Sequence, residues 1–261
     1  MRHKVLTDTN VLIAASICMT IEGSSPPIQL KHRSFDNCMG LIGLLRKFRS
    51  KRIGLLTPTI ENEAWSVLER VVRKEVETSR VPREQLFPTL STVLSTCEDR
   101  LRGILQTLQR EPIIADDVKP WYARVEQMYE EFIQQAQVVD LKFETEYKTD
   151  AAAEGYRGLA HRIYEKQAKM TNRQVTQLRY DRPNEADKTL LAEAAYLYAF
   201  YKEREAQVTF YLASGDSHFS PMKGTAGGLT SRAITDRISK DFHVICDYPE
   251  EISNSLRQEV K

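Results

Sequence analysis

The chain has 261 residues, with 37 Lys and Arg against 36 Asp and Glu, a formal charge of +1, 41% hydrophobic and 28% charged residues. This balance excludes a disordered polyelectrolyte and a uniformly basic nucleic-acid coat, and the length suits one large domain or a domain with a substantial insertion. Cys18, Cys38, Cys97 and Cys246 stand far apart without a CxxC pair, no run of about 18 apolar residues occurs and no leader pattern opens the chain, so a cytoplasmic chain with reduced thiols, no zinc ribbon and no membrane span is expected.

The first apolar run, Val5-Leu6-Thr7, meets Asp8-Thr9-Asn10 and then Val11-Leu12-Ile13-Ala14-Ala15. This reads as a buried strand, an acidic turn and a helix that Asp8, Thr9 or Asn10 caps. Gly23-Ser24-Ser25-Pro26-Pro27 marks a loop. Phe35, Met39, Ile42, Leu45 and Phe48 recur at helical spacing, and Ile53-Gly54-Leu55-Leu56 reads as a second strand. Thr57-Pro58-Thr59 then opens a helix carrying Glu61, Glu63, Trp65 and Leu68. From about Glu69 to Arg182 the pattern is almost wholly helical, with Pro82, Pro88, Pro112 and Pro120 as breaks or starts. The tryptophan rings, Trp65 and Trp121, are expected to pack in cores.

Strand chemistry returns near the carboxyl end. Asn184 to Lys202 is a strong helix, Val208 to Leu212 a strand stopped by Ser214-Gly215-Asp216, and Val244 to Cys246 another strand. Between those strands lie a Gly-rich loop, Gly224 to Gly228, and a helix near Ser231 to Ser239. Strands alternating with helices at both ends of the chain predict an α/β fold with a parallel sheet, interrupted by an all-helical insertion.

In such sheets, functional side chains collect beyond the carboxyl ends of the strands. Asp8 and Asp216 follow apolar strand runs, Glu63 lies early in the helix after the second strand, and Asp187 starts the long helix before the third. Four converging carboxylates repel unless a cation compensates, and hard oxygen ligands favour Mg²⁺ or Mn²⁺. The implied chemistry is metal-assisted phosphodiester hydrolysis. Glu61 and Glu63 cannot share a helix face, so one of them points into the cleft, and Glu63 is preferred.

The segments Leu6-Thr7-Asp8-Thr9-Asn10-Val11-Leu12, Pro58-Thr59-Ile60-Glu61-Asn62-Glu63, Asp187-Lys188-Thr189-Leu190-Leu191-Ala192-Glu193-Ala194 and Leu212-Ala213-Ser214-Gly215-Asp216-Ser217-His218-Phe219 resemble PIN-domain ribonucleases. The resemblance implies a three-layer α/β/α sandwich over residues 1–68 and 184–261, with residues 69–183 as a helical insertion serving as lid, RNA-guiding arm or partner arm. It implies an endoribonuclease cutting single-stranded RNA, with Asp8, Glu63, Asp187 and Asp216 as catalytic and metal-binding acids. Asn10 and Ser214 match the supporting amide and hydroxyl positions. Many members carry another Asp two places after the fourth acid, where this chain has His218, a departure that weakens a second metal site; His218 is counted as a supporting residue.

Charge is sorted along the chain. Residues 31–52, which include Arg46, Lys47, Arg49, Lys51 and Arg52, carry about +6 net, and residues 157–182, which include Arg162, Lys166, Lys169 and Arg173, about +5. Tyr156, Tyr164 and Tyr180 punctuate the second stretch, a pattern suited to phosphates and unpaired bases. Asp116 to Glu154 carries about six net negative charges and should face away from RNA or toward a basic protein partner. Two other readings stand beside the nuclease: a non-catalytic RNA-binding or scaffold protein with a degenerate PIN-like core, and the toxin of a toxin–antitoxin pair. The number of metals and the oligomeric state are left open.

Overall fold

The computed structural model describes residues 2–21, 28–79, 86–149, 183–205, 207–216, 219 and 227–259. Its centre is strand β1 (Arg2–Thr7), whose Val5 and Leu6 are fully buried. A strand covered on both faces buries successive residues rather than alternate ones, and β1 does so from His3 to Thr7, though only Val5 and Leu6 are apolar. It pairs in parallel with β4 (Gly54–Leu56), Val5 opposite Gly54, and with β6 (Val208–Ala213) over its whole length, from Arg2 opposite Val208 to Thr7 opposite Ala213. Strands β5 (Gln109–Arg110) and β7 (Val244–Asp247) add in parallel at the edges, giving the order β5-β4-β1-β6-β7. The fold is therefore α/β around a five-stranded parallel sheet.

Helices supply the crossovers that parallel pairing requires. α1 (Thr9–Ser16) leaves β1 and packs against α2 (Phe35–Lys47), α3 (Pro58–Thr78) and α4 (Leu86–Leu105). α5 (Ala115–Thr149) lies along α6 (Glu185–Arg204), and α6 in turn rests on β6 and β7. α7 (Gly227–Phe242) precedes β7, and α8 (Pro249–Glu259) packs on α2.

Several elements differ from the sequence reading. Gly227 and Gly228 belong to the first turn of α7 rather than to a Gly-rich loop, while Gly224 lies outside the described residues. Cys18–Ile21 (β2) and Ile28–Lys31 (β3) form an antiparallel hairpin apart from the main sheet, in a region where the sequence marked only a loop. The stretch 69–183, expected to be all-helical, contributes β5 to the sheet, because β4 offers an edge whose backbone groups need partners. Its helix α4 packs on α1 and α3, so this part of the stretch is built into the α/β core. Trp65 is 37% exposed, with the Arg102 guanidinium 5.9 Å from its ring centroid; Trp121 is half-buried under Arg124. No described helix is long and apolar enough to cross a membrane. The four cysteines are free, and burial pushes the Cys38 thiol up to about 12.

Candidate acidic site at the carboxyl edge of the sheet

All five strands run the same way, so their carboxyl ends share one edge. The interstrand ladder continues one step beyond it: the Asp8 N–H donates to Ala213 O at 2.9 Å, Ser214 N–H to Asp247 O at 3.1 Å, and Glu111 N–H to Leu56 O at 2.9 Å. These bonds fix Asp8, Ser214 and Asp247 side by side before any side chain acts.

Asp8 occupies the N-cap position of α1, yet its side chain makes no capping hydrogen bond. Instead Oδ2 accepts from Ser214 Oγ at 2.5 Å, although the two residues lie 206 positions apart. Ser214 Oγ also accepts from the Asp216 N–H at 3.0 Å and from Asn10 Nδ2 at 3.4 Å, and Asn10 Oδ1 accepts from the Gly215 N–H at 3.3 Å. Asn10 and Ser214 thereby hold the short turn that presents Asp216.

The remaining acids are placed by α3 and α6. Thr9 Oγ1 donates to Glu63 Oε2 at 2.7 Å, which draws Glu63 toward β1. Glu61 turns the other way and pairs with Arg110 of β5 at 2.5 Å. Asp187 forms a capping box at the start of α6: it accepts from the Asn184 N–H at 2.9 Å, while its own N–H donates to Asn184 Oδ1 at 3.0 Å.

Asp8 is only 7% exposed. Burial pushes its carboxyl up to about 7; the Ser214 hydrogen bond opposes the rise, and the negative charges of Asp216, Glu63 and Asp187 add to it. All the charged neighbours that act on Asp8 are acidic, so its ionised form lacks local compensation. That is the electrostatic condition a hard cation relieves, and the oxygen-only donor set suits Mg²⁺ or Mn²⁺ better than zinc. Among the described residues, however, no three His, Cys, Asp or Glu side chains are gathered into a ready metal cage. Asp216, Glu63 and Asp187 lie near enough for their charges to act on Asp8.

Three further groups belong to this region and were not singled out by the sequence. Glu193 of α6 is 3% exposed and accepts from Thr57 Oγ1 at 2.6 Å and Thr59 Oγ1 at 2.5 Å. Burial raises its carboxyl, the two hydroxyls oppose this, and Glu63 adds to the rise. A charge inside the apolar run Leu190-Leu191-Ala192 and Ala194-Ala195 was the signal that could have marked it. Asp247 ends an apolar strand just as Asp8 does, and the same rule would have found it. Tyr129 of α5 is fully buried; burial, then Cys246, Asp187 and Asp216, raise its phenol. A buried phenol in a charged helix left no recognisable trace in the sequence.

The basic residues sort differently. Arg46 and Lys47 end α2, Arg49 and Lys51 lie in the 3₁₀ turn Arg49–Lys51, and Arg52 follows in a left-handed conformation with φ 52°. All precede β4 and so lie at the amino edge of the sheet, opposite Asp8. Lys4 of β1 donates to Arg52 O there at 3.1 Å. The structure therefore does not bring this stretch to the acidic site. His218 and the basic residues Arg162, Lys166, Lys169 and Arg173 lie outside the described residues. Comparison with family models, with curated proteins and with solved structures finds no match for this chain.

Proposed function

We propose that this chain is a Mg²⁺- or Mn²⁺-dependent endoribonuclease that hydrolyses phosphodiester bonds of single-stranded RNA on a PIN-like α/β/α core. The observation that carries the reading is Asp8: a buried carboxylate that forgoes its helix cap, binds Ser214 across the sheet and is surrounded by acidic charge. Asp8, Glu63, Asp187 and Asp216 are the residues that would hold the ion, directly or through water. Such an ion, when bound, lowers the pKa of water and neutralises charge on the phosphate. Asn10 and Ser214 orient Asp216 and Asp8, and Thr9 orients Glu63. Arg162, Lys166, Lys169 and Arg173 of the stretch 69–183 would contact RNA, and a cytoplasmic location accords with the free thiols.

The test is cleavage of a labelled single-stranded RNA in Mg²⁺ or Mn²⁺ by the wild type and by Asp8→Asn. Loss of cleavage by at least about a hundredfold in a folded variant is expected for removal of a metal-binding catalytic acid. Wild-type rates in that variant would remove the assignment.

One observation favours a second reading, a non-catalytic RNA-binding or scaffold protein: the described acids do not form a three-member cage. Thermal unfolding across a Mn²⁺ titration separates the two. Stabilisation by millimolar Mn²⁺ that disappears in Asp216→Asn supports the nuclease, and a flat response supports the scaffold.

A further inference from the structure

Glu193 is set within the core rather than at the rim, and both of its oxygens are occupied by hydroxyl donors from a single helix start. Thr57 is the N-cap of α3, and its Oγ1 also accepts from the Ile60 N–H at 3.4 Å. Thr59 stands four residues before Glu63, one turn away on the same face of α3. That face is gripped twice: by Glu193 at Thr59 and by Thr9, the neighbour of Asp8, at Glu63. Glu193 is also carried by α6, the helix whose first turn holds Asp187.

We propose that Glu193 is a positioning residue, which clamps the start of α3 to α6 and thereby fixes Glu63 relative to Asp8 and Asp187 without itself touching the ion. A purely structural contact at this place would be served by an apolar side chain, since a buried carboxylate is costly even when hydrogen-bonded. Here the carboxylate is kept close to a like charge, Glu63, and fully committed to two threonines. Its directional bonds set the rotation of α3 about its axis, which packing alone leaves looser. The inference rests on the metal-site reading above and adds to it the residue that holds the second acid in place.

The experiment is Mn²⁺ binding by the metal alone to the full chain, followed by calorimetry or by the free-Mn²⁺ spin resonance signal. Glu193→Ala is expected to weaken binding tenfold or more, the range for partners that orient metal ligands. Glu193→Gln keeps one acceptor oxygen and should lose less, about two- to fivefold on the same scale. In a Glu63→Gln background, Glu193→Ala should change affinity by less than about twofold, because a residue acting through Glu63 has nothing left to position. General loosening of the fold would instead weaken both backgrounds equally, and that result overturns the proposal. If Glu193→Ala fails to fold, Thr59→Val and Glu193→Gln carry the same comparison, and wild-type affinity in both overturns it. A wild-type chain that binds no Mn²⁺ overturns the metal reading itself; a wild type that binds beside fully competent Glu193 variants overturns only the clamp.

Discussion

At Asp8 a single carboxyl couples stability to pH. An unperturbed aspartate ionises near 3.9, whereas burial and acidic neighbours push Asp8 up to about 7. The folded chain thus holds this proton more tightly than the unfolded chain does. Below about pH 4 the group is protonated in both states; as pH rises from there through 7, stability falls by a few kcal/mol, about 4 at most, and stays at that lower level above. Asp8→Asn removes the titration, so the metal-free variant should be more stable than wild type at pH 8, with the gap closing toward pH 5; urea unfolding at both pH values checks this. If Asp8 holds Mn²⁺ as proposed, the ion must compete with that proton, and wild-type affinity should be about tenfold weaker at pH 6 than at pH 8. A pH-independent affinity would place the ion elsewhere. Asp8 and Asp216 were legible in the sequence because each ends an apolar strand. Glu193 was not, because a glutamate within a helix ordinarily marks the solvent face, and only the fold shows that this one turns inward to Thr57 and Thr59.

The elements show where local pattern suffices. β1, β4, β6 and β7 announce themselves as short apolar runs, and α6 by its caps and its alanines. β5 does not, because Gln109 and Arg110 have no strand-like character and take that form only by pairing with Leu55 and Leu56. The β5 edge is held in part by a close approach at Gly54. A Cβ there would stand 2.8 Å from Leu108 Cδ2 and 3.1 Å from Leu45 Cδ1. Gly54→Ala should therefore destabilise the fold by about 1–3 kcal/mol through overpacking, read as a lower denaturant midpoint at unchanged slope. The start of α6 gives a second measurement. Asn184→Ala removes one half of the capping box and should cost about 1 kcal/mol, seen as a drop of a few degrees in Tm.

At the scale of the described molecule, the acids that act on Asp8 and the basic run before β4 lie at opposite edges of the sheet. The acids cluster at the carboxyl edge, while Arg46, Lys47, Arg49, Lys51 and Arg52 lie at the amino edge. A single-stranded substrate loses about 0.7 in the log–log salt slope for each phosphate contact removed. If the chain cleaves RNA as proposed, replacing Arg49 and Lys51 with alanine should thus leave the salt slope of cleavage changed by less than about half a unit, far below the effect of two lost contacts. A flattening of about 1.4 would show that RNA wraps to the amino edge after all. Sequence alone sorts charges along the chain, but the parallel direction of β4 decides which edge each stretch occupies.

The pairing of β1 with β6 carries a consequence for the chain during its synthesis. The central strand emerges first, yet its Thr7 finds its partner Ala213 only 206 residues later. At roughly 5–20 residues per second, β1 waits about 10–40 s at the ribosome before the sheet can close. Asp8 meets Ser214 only at that moment, so a nascent chain carries its acids scattered. If the chain is the nuclease proposed above, its site cannot assemble until β6 has been made, and the messenger being translated is shielded until then.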